Sequence, residues 1–490
     1  MIHDGAGVAA SRRSWAGRLA DLYWAWVFLV TLAVVSFRIG EPDLWRDELA
    51  SWSAAGRSLP ELLALAQNID ATSIVYYLVL HAWMAVFGDS AVAMRAPSAL
   101  AIAAAAAVMA CLVRVWYGRL QAVLAGLLFA LLPVMSYFAQ QARSYAFATL
   151  GTAVATWLLV RALQRPQWRR WVPYGVAVGA TAMFHLVAAM VVAGHAVAVG
   201  AWFLLQRDRR MLRWLVAAPA GLMLALPVGV MAMRQHGDQL YWLTVKPGLR
   251  DLIQAPQSIV MSGLVAAAAV TLAAIGLFDN AKTTALGLGL TAAPILLIWL
   301  ISQYSSYWFG RYLAFSLVGL VVLAATALAR ARPWAAVAVL GLVAVLGIDD
   351  QRAIRGPVSV GQGNVRYSEA IGWLGGQVRP GDARLYLQDD SWMAIDAALD
   401  YHGLGEERLR TVCRDKTGPQ RDHLWGSPAT DMPACLGDTA RLWVVRPFDQ
   451  REHPLAPAPA PLAGELQSRY ERITVTVIGN LTLVLYERRG

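Results

Sequence analysis

Charge is scarce in this chain. Of its 490 residues only 15% are Asp, Glu, Lys or Arg and 58% are hydrophobic, so the apolar runs are too long for a soluble core. No A-x-A cleavage site follows the first apolar run, which argues against a removed signal peptide. No spacing suits zinc or a phosphate-binding P-loop, so no bound metal or nucleotide-sugar donor is implied, although Asp47 with Glu48 leaves a divalent cation open. No internal repeat divides the chain into two halves with interrupted helices, the pattern expected of a transporter.

What remains reads as a polytopic α-helical membrane protein. A bilayer core of about 30 Å asks for roughly 20 apolar residues per helix. Tested that way, the chain yields about eleven spans, over 22–39, 96–113, 121–137, 144–162, 171–186, 187–205, 214–233, 257–278, 285–303, 312–329 and 334–348. Arg12, Arg13 and Arg18 precede the first, predicting an uncleaved anchor with a cytoplasmic N-terminus. Later basic clusters, from Arg114 and Arg119 through Arg161–Arg170, Arg207–Arg213 and Lys282 to Arg330 and Arg332, then all fall on the cytoplasmic side. The net charge of +10 therefore reads as topology and not as nucleic-acid binding. This parity holds only if Ile74–Phe87 does not cross. At 14 residues, with His81, two tyrosines and Trp83, it reads as a helix at the outer surface.

Residues 349–490 change character, becoming polar and punctuated by turns, and read as a soluble extracytoplasmic α/β domain after a membrane module at 1–348. A helix is expected over 367–378, a turn at 379–382, strands over 383–387 and 441–445, and a hairpin pairing 473–477 with 481–486 across Gly479-Asn480. A Pro/Ala linker spans 453–461. Of the three cysteines, Cys111 lies in a span, while Cys413 and Cys435 share the outer domain as a disulfide candidate.

The first outer loop, about 40–95, is the longest in the membrane half and carries Arg46, Asp47, Glu48 and Asp70. Asp47 and Glu48 precede an apolar stretch at 49–55, so burial beside it is expected to raise a carboxylate pKa toward that of a useful base. Arg143, His185, Lys246, Arg250 and Arg311 emerge on the same face, where an arginine is expensive unless paired or functional. Acids and bases converge there, with Trp45, Tyr76, Tyr77 and Tyr145 as aromatic surface for a sugar and a lipid tail.

The Asp47-Glu48 pair, the tyrosine-rich segment before Trp83 and Gly88, the Gln-x-Ala-Arg-x-Tyr stretch ending at Tyr145, and Arg311-Tyr312 together resemble the GT-C superfamily of integral-membrane glycosyltransferases. The nearest branch is that of the protein O-mannosyltransferases and the lipid A aminoarabinose transferase. The resemblance covers about residues 20–330. It implies a bacterial cell-membrane enzyme taking a sugar from a polyprenyl-phosphate donor to a glycan, lipid or protein acceptor outside the cytoplasm. It also implies Asp47 as the catalytic acid position with Glu48 its neighbour, and Arg143 and Arg311 near the lipid phosphate. Relatives usually carry His-Pro-Pro or Lys-Pro where this chain has Ala71-Thr72-Ser73, so a phosphate-contacting lysine has no counterpart there.

The residues suit such chemistry. A phosphate leaves as a stable anion, so cations replace a strong general acid; Arg143 and Arg311, with Lys246 or Arg250, would neutralise it. Asp47 would take the proton of the attacking hydroxyl, giving inversion in one displacement, while Glu48 orients Asp47 or binds the sugar. A lipid or glycan transporter or flippase using the same cavity without chemistry is the alternative reading.

Overall fold

The computed structural model describes residues 21–490 except 241, 242, 244, 245, 306, 359–363, 388–391, 432, 433 and 457. Arg12, Arg13 and Arg18 lie outside the described residues.

Among the described residues, five helices are long and apolar enough to cross a membrane, and up to nine if each bent pair is one span. The two remaining predicted spans correspond to shorter helices, Tyr23–Ser36 of 14 residues and Trp168–Phe184 of 17. Ala91–Val113 packs against Tyr23–Ser36, Arg119–Leu131 and Tyr145–Gln164. Its run of alanines permits that close approach, because lipid supplies no hydrophobic drive and small side chains let backbones meet. Glycine does the same where Val191–Gln206 crosses Ala281–Ile301: a Cβ on Gly194 would meet the Gly289 carbonyl oxygen at 2.7 Å.

Bends place the functional ends. Arg119–Leu131 turns by 68° into Pro133–Ala139, because Leu132, preceding proline, is held extended and the helix restarts on Pro133. The span predicted at 257–278 is broken: Leu249–Val260 lies at 103° to Gly263–Gly276, with Met261 in the left-handed region and Ser262 capping the new helix. The second helix therefore starts afresh at Gly263, since the left-handed turn ends the first.

The basic loops meet one another at one end of the bundle. Tyr117 bonds Asp279, Arg213 reaches the Pro166 carbonyl at 2.8 Å, and Arg330 reaches that of Phe278 at 3.1 Å. The loops carrying Asp47, Asp70, Arg143, His185 and Arg311 meet at the other.

That second end is covered by a C-terminal sheet-containing domain. The helical chain runs past the expected boundary at 348, through Ile348–Ile354, and Arg355 then fastens it by donating to the carbonyls of Val34 and Phe37 and to Ser136 Oγ. The five-stranded sheet is built from β1 (Ala383–Leu385), β2 (Arg410–Val412), β3 (Arg441–Pro447), β4 (Tyr470–Ile478) and β5 (Leu481–Arg488), in the order β2-β1-β3-β5-β4. β2, β1 and β3 run parallel, and β5 is antiparallel to both β3 and β4. The β4–β5 turn is Gly479-Asn480, both at positive φ, as a two-residue hairpin with the sheet's twist requires. Cys413 and Cys435 are bonded to each other.

Candidate functional site

The helix Arg46–Ala55 opens on its acids. Asp47 and Glu48 lie in its first turn, where the exposed N–H groups favour negative charge, and Glu48 accepts from the backbone of Trp45. The two side chains then part. Glu48, 1% exposed, takes Arg95 Nε on one oxygen at 2.8 Å and Nη2 on the other at 2.7 Å, and the Ala142 N–H at 2.8 Å. Arg95 spends its remaining donors on the carbonyls of Ile39, Pro42 and Asp43. This corrects the expectation for Glu48: it faces neither a sugar nor the Asp47 carboxylate. It is a positioning residue that ties the Asp47 helix to Ala91–Val113 and to the turn before Arg143. With both oxygens held by Arg95, it is not arranged to chelate a cation with Asp47. Arg95 escaped notice in the sequence, although an arginine near the start of an apolar helix signals a buried partner.

Asp47 faces a cavity of about 730 Å³. Arg46 Nε lies 3.2 Å from one oxygen and Arg311 Nη2 3.8 Å from the other. Burial pushes the carboxyl pKa up, but the guanidiniums of Arg143, Arg311 and Arg46 outweigh it and hold the group below its ordinary value. The expectation of a raised pKa is thus reversed, because three cations converge on one acid. Asp47 is a carboxylate at neutral pH.

Arg143 follows the short Pro133–Ala139 helix and lines the cavity. Its Nη1 donates to Tyr77 Oη at 3.3 Å and Ser51 Oγ at 3.5 Å, while its Nε is buried without a hydrogen-bond partner. Tyr77 in turn bonds Asp70, which also accepts from Ser73 Oγ at 3.0 Å. Asp70 adopts the left-handed conformation, which turns the chain into the Ile74–Phe87 helix, and burial raises its pKa against the pull of Arg143. Two carboxylates in one cavity are thereby pushed in opposite directions.

Arg311 stands among aromatic rings, 4.6 Å from Phe309, 5.2 Å from Trp45 and 5.6 Å from Tyr145, and its Nε is likewise buried and unpartnered. Trp45 does not line the cavity; it backs Arg311 through a cation–π contact. Tyr145 and His185 do line it, with ring centroids 5.4 Å apart and His185 Nδ1 buried without a partner. Three further expectations are corrected. Tyr76 is 1% exposed and packs on Phe147 in the interior, so it is not a sugar platform. Lys246 and Arg250 are exposed and line no part of the cavity: Lys246 lies just before the Leu249–Val260 helix and Arg250 in its first turn, both turned to the outside.

Away from the charged groups the wall is apolar, formed by Leu186, Val187, Met190, Met233, Ile298 and Ile301. On another side the C-terminal domain contributes Trp392, Leu424 and Trp425. These three lie in loops whose approach to the membrane half has no sequence signature. Among the described residues no group of three or more His, Cys, Asp or Glu side chains is placed to hold a metal ion.

Comparisons with known proteins bear on the fold that carries this site. Residues 71–231 match the family model described as dolichyl-phosphate-mannose-protein mannosyltransferase. Asp47 and Arg311 lie outside that segment in sequence yet meet its Arg143 in space. No curated protein matches in sequence. The crystal structure of ArnT from Cupriavidus metallidurans in the apo state is similar to this chain over 95% of its length and 98% of that protein, at 16% identity and a TM-score of 0.62. ArnT bound to undecaprenyl phosphate matches over the same shares at 15% identity and a TM-score of 0.60. The likeness shows the fold: the chain has the fold of ArnT, a multi-helix membrane bundle with a C-terminal sheet-containing domain.

Proposed function

We propose that this GT-C chain is an inverting glycosyltransferase that moves one sugar from a polyprenyl-phosphate donor to an acceptor on the extracytoplasmic side of a bacterial cell membrane. The observation that carries the reading is the meeting of one ionised carboxylate, Asp47, with two guanidiniums whose Nε donors are unpartnered, Arg143 and Arg311, beside an apolar wall. Buried donors without partners are costly, and an anionic phosphate oxygen satisfies both charge and hydrogen bond. The apolar wall suits the first isoprene units, and undecaprenyl phosphate is what the similar ArnT structure holds. The clustering of basic loops at the opposite end supports the orientation, since cytoplasmic loops carry the excess of Lys and Arg.

In the reaction the acceptor oxygen attacks the anomeric carbon as the C–O bond to phosphate breaks. The bonding pair leaves on the phosphate, stabilised by Arg143 and Arg311, and the hydroxyl proton passes to Asp47. A carboxylate held at low pKa is a weak base while the arginines face it alone. Arrival of the phosphate draws on the same guanidiniums and restores proton affinity to Asp47 when it is needed. Incubating the purified protein with a panel of polyprenyl-phosphate sugars and a bacterial cell-envelope extract as the source of acceptor tests the proposal: consumption of one donor with release of polyprenyl phosphate is expected, and a panel left intact by a folded protein contradicts it.

A further inference from the structure

The donor's place leaves one wall of the cavity unused. Met190, Met233, Ile298 and Ile301 give the cavity its apolar lining, and Arg143 and Arg311 line the same cavity. The same cavity is lined by the C-terminal domain through Trp392, Leu424 and Trp425, together with Arg46 and Ala50 of the Asp47 helix. This wall is fastened to the membrane half. Arg57 Nη2 donates to the His423 carbonyl at 2.6 Å, and the Arg46 guanidinium lies 5.1 Å from the centre of the Trp392 ring. The His423 ring meets Trp425 edge-on with centroids 5.7 Å apart. Trp392 remains 36% exposed, too open for a packing residue and well placed to receive something.

We infer that Trp392 and Trp425 form the acceptor subsite, and that the acceptor is a carbohydrate whose ring stacks on an indole face while its hydroxyl reaches Asp47. The inference rests on the proposed transfer reaction. The acceptor hydroxyl must reach Asp47, and the tryptophan wall adjoins that carboxylate through Arg46, whose Nε lies 3.2 Å from an Asp47 oxygen and whose guanidinium lies against the Trp392 ring. An indole offers a flat apolar face with a polar N–H edge, which matches the alternating C–H faces and hydroxyl rims of a sugar. A polypeptide acceptor would instead need backbone donors and acceptors, and among the described residues that line the cavity none belongs to a strand of the sheet.

The test uses the full-length protein with whichever polyprenyl-phosphate sugar it consumes, offered methyl glycosides in one arm and N-acetylated, C-amidated Ser and Thr tripeptides in the other. Methyl glycosides are expected to accelerate donor consumption and to carry the new glycosidic bond. Trp392→Ala and Trp425→Ala are expected to raise the glycoside KM roughly ten-fold, the scale of a lost aromatic platform, with Trp→Tyr restoring most of it. Binding of undecaprenyl phosphate to the variants is measured alongside and is expected to persist, which also shows them folded. Acceleration by the peptides alone, or an unchanged glycoside KM in both alanine variants, would overturn the subsite. Failure of the unsubstituted protein to bind undecaprenyl phosphate would strike at the transfer reaction instead.

Discussion

Glu48 and Arg95 form a two-point ion pair, 2.8 Å from Nε and 2.7 Å from Nη2, with each side chain 1% exposed. Through it the residue beside the proposed base is spent on architecture, holding the Asp47 helix to a membrane helix and, by the Ala142 N–H, to the turn that presents Arg143.

Glu48→Gln leaves the Arg95 guanidinium buried without its counter-charge. Breaking a buried pair from one side costs about 3–5 kcal/mol. A fall in the midpoint of thermal unfolding in detergent is therefore expected, together with loss of transfer in whatever protein remains folded. A variant as stable as the parent but inactive would return Glu48 to a chemical role.

Arg143→Gln and Arg311→Gln each remove a charged donor from the donor phosphate. Hydrogen bonds to charged groups are worth about 1.5–3 kcal/mol, so undecaprenyl phosphate affinity should fall roughly ten- to hundred-fold in each. Arg143→Lys should recover little, because a single compact ammonium cannot replace a planar guanidinium that meets Tyr77 with Nη1 and presents Nε to a second partner. Equilibrium binding of the labelled lipid phosphate decides this, and unchanged affinity in both Gln variants would remove the phosphate from this site.

The pH dependence has a definite sign. Asp47 must be ionised to accept a proton, and its pKa is held low by Arg143, Arg311 and Arg46, so kcat/KM, which reports the free enzyme, should fall only as pH drops below the ordinary carboxylate range of roughly 3.5–4. Its ionisation stabilises the fold above the unfolded pKa, and that contribution is lost as pH falls through the lowered folded value. Bound donor shares the guanidiniums, so the acid limb of kcat should lie at higher pH than that of kcat/KM. Parallel profiles of the two constants check this, and coincident limbs would deny the coupling between phosphate and carboxylate.

Much of this arrangement was legible in the residues. Apolar run length marked the helices, basic loops ordered them, and Gly479-Asn480 announced the hairpin. Arg143 and Arg311 stood out because an arginine at the mouth of an apolar bundle demands a partner. The division of labour between Asp47 and Glu48 was not legible, since adjacent residues on a helix point about 100° apart and only the fold says which meets Arg95. The direction of the Asp47 shift was hidden for the same reason: Arg143 and Arg311 are distant in sequence, and their summed field on one carboxylate exists only after packing. The tryptophan wall depends on docking of a whole domain, which no local pattern encodes.

The most direct measurement is transfer by Asp47→Asn from a radiolabelled polyprenyl-phosphate sugar, with undecaprenyl phosphate binding measured on the same preparation. The expected result is transfer abolished while the variant stays folded and still binds the lipid phosphate. Full transfer by Asp47→Asn would contradict the assignment of Asp47 as the base.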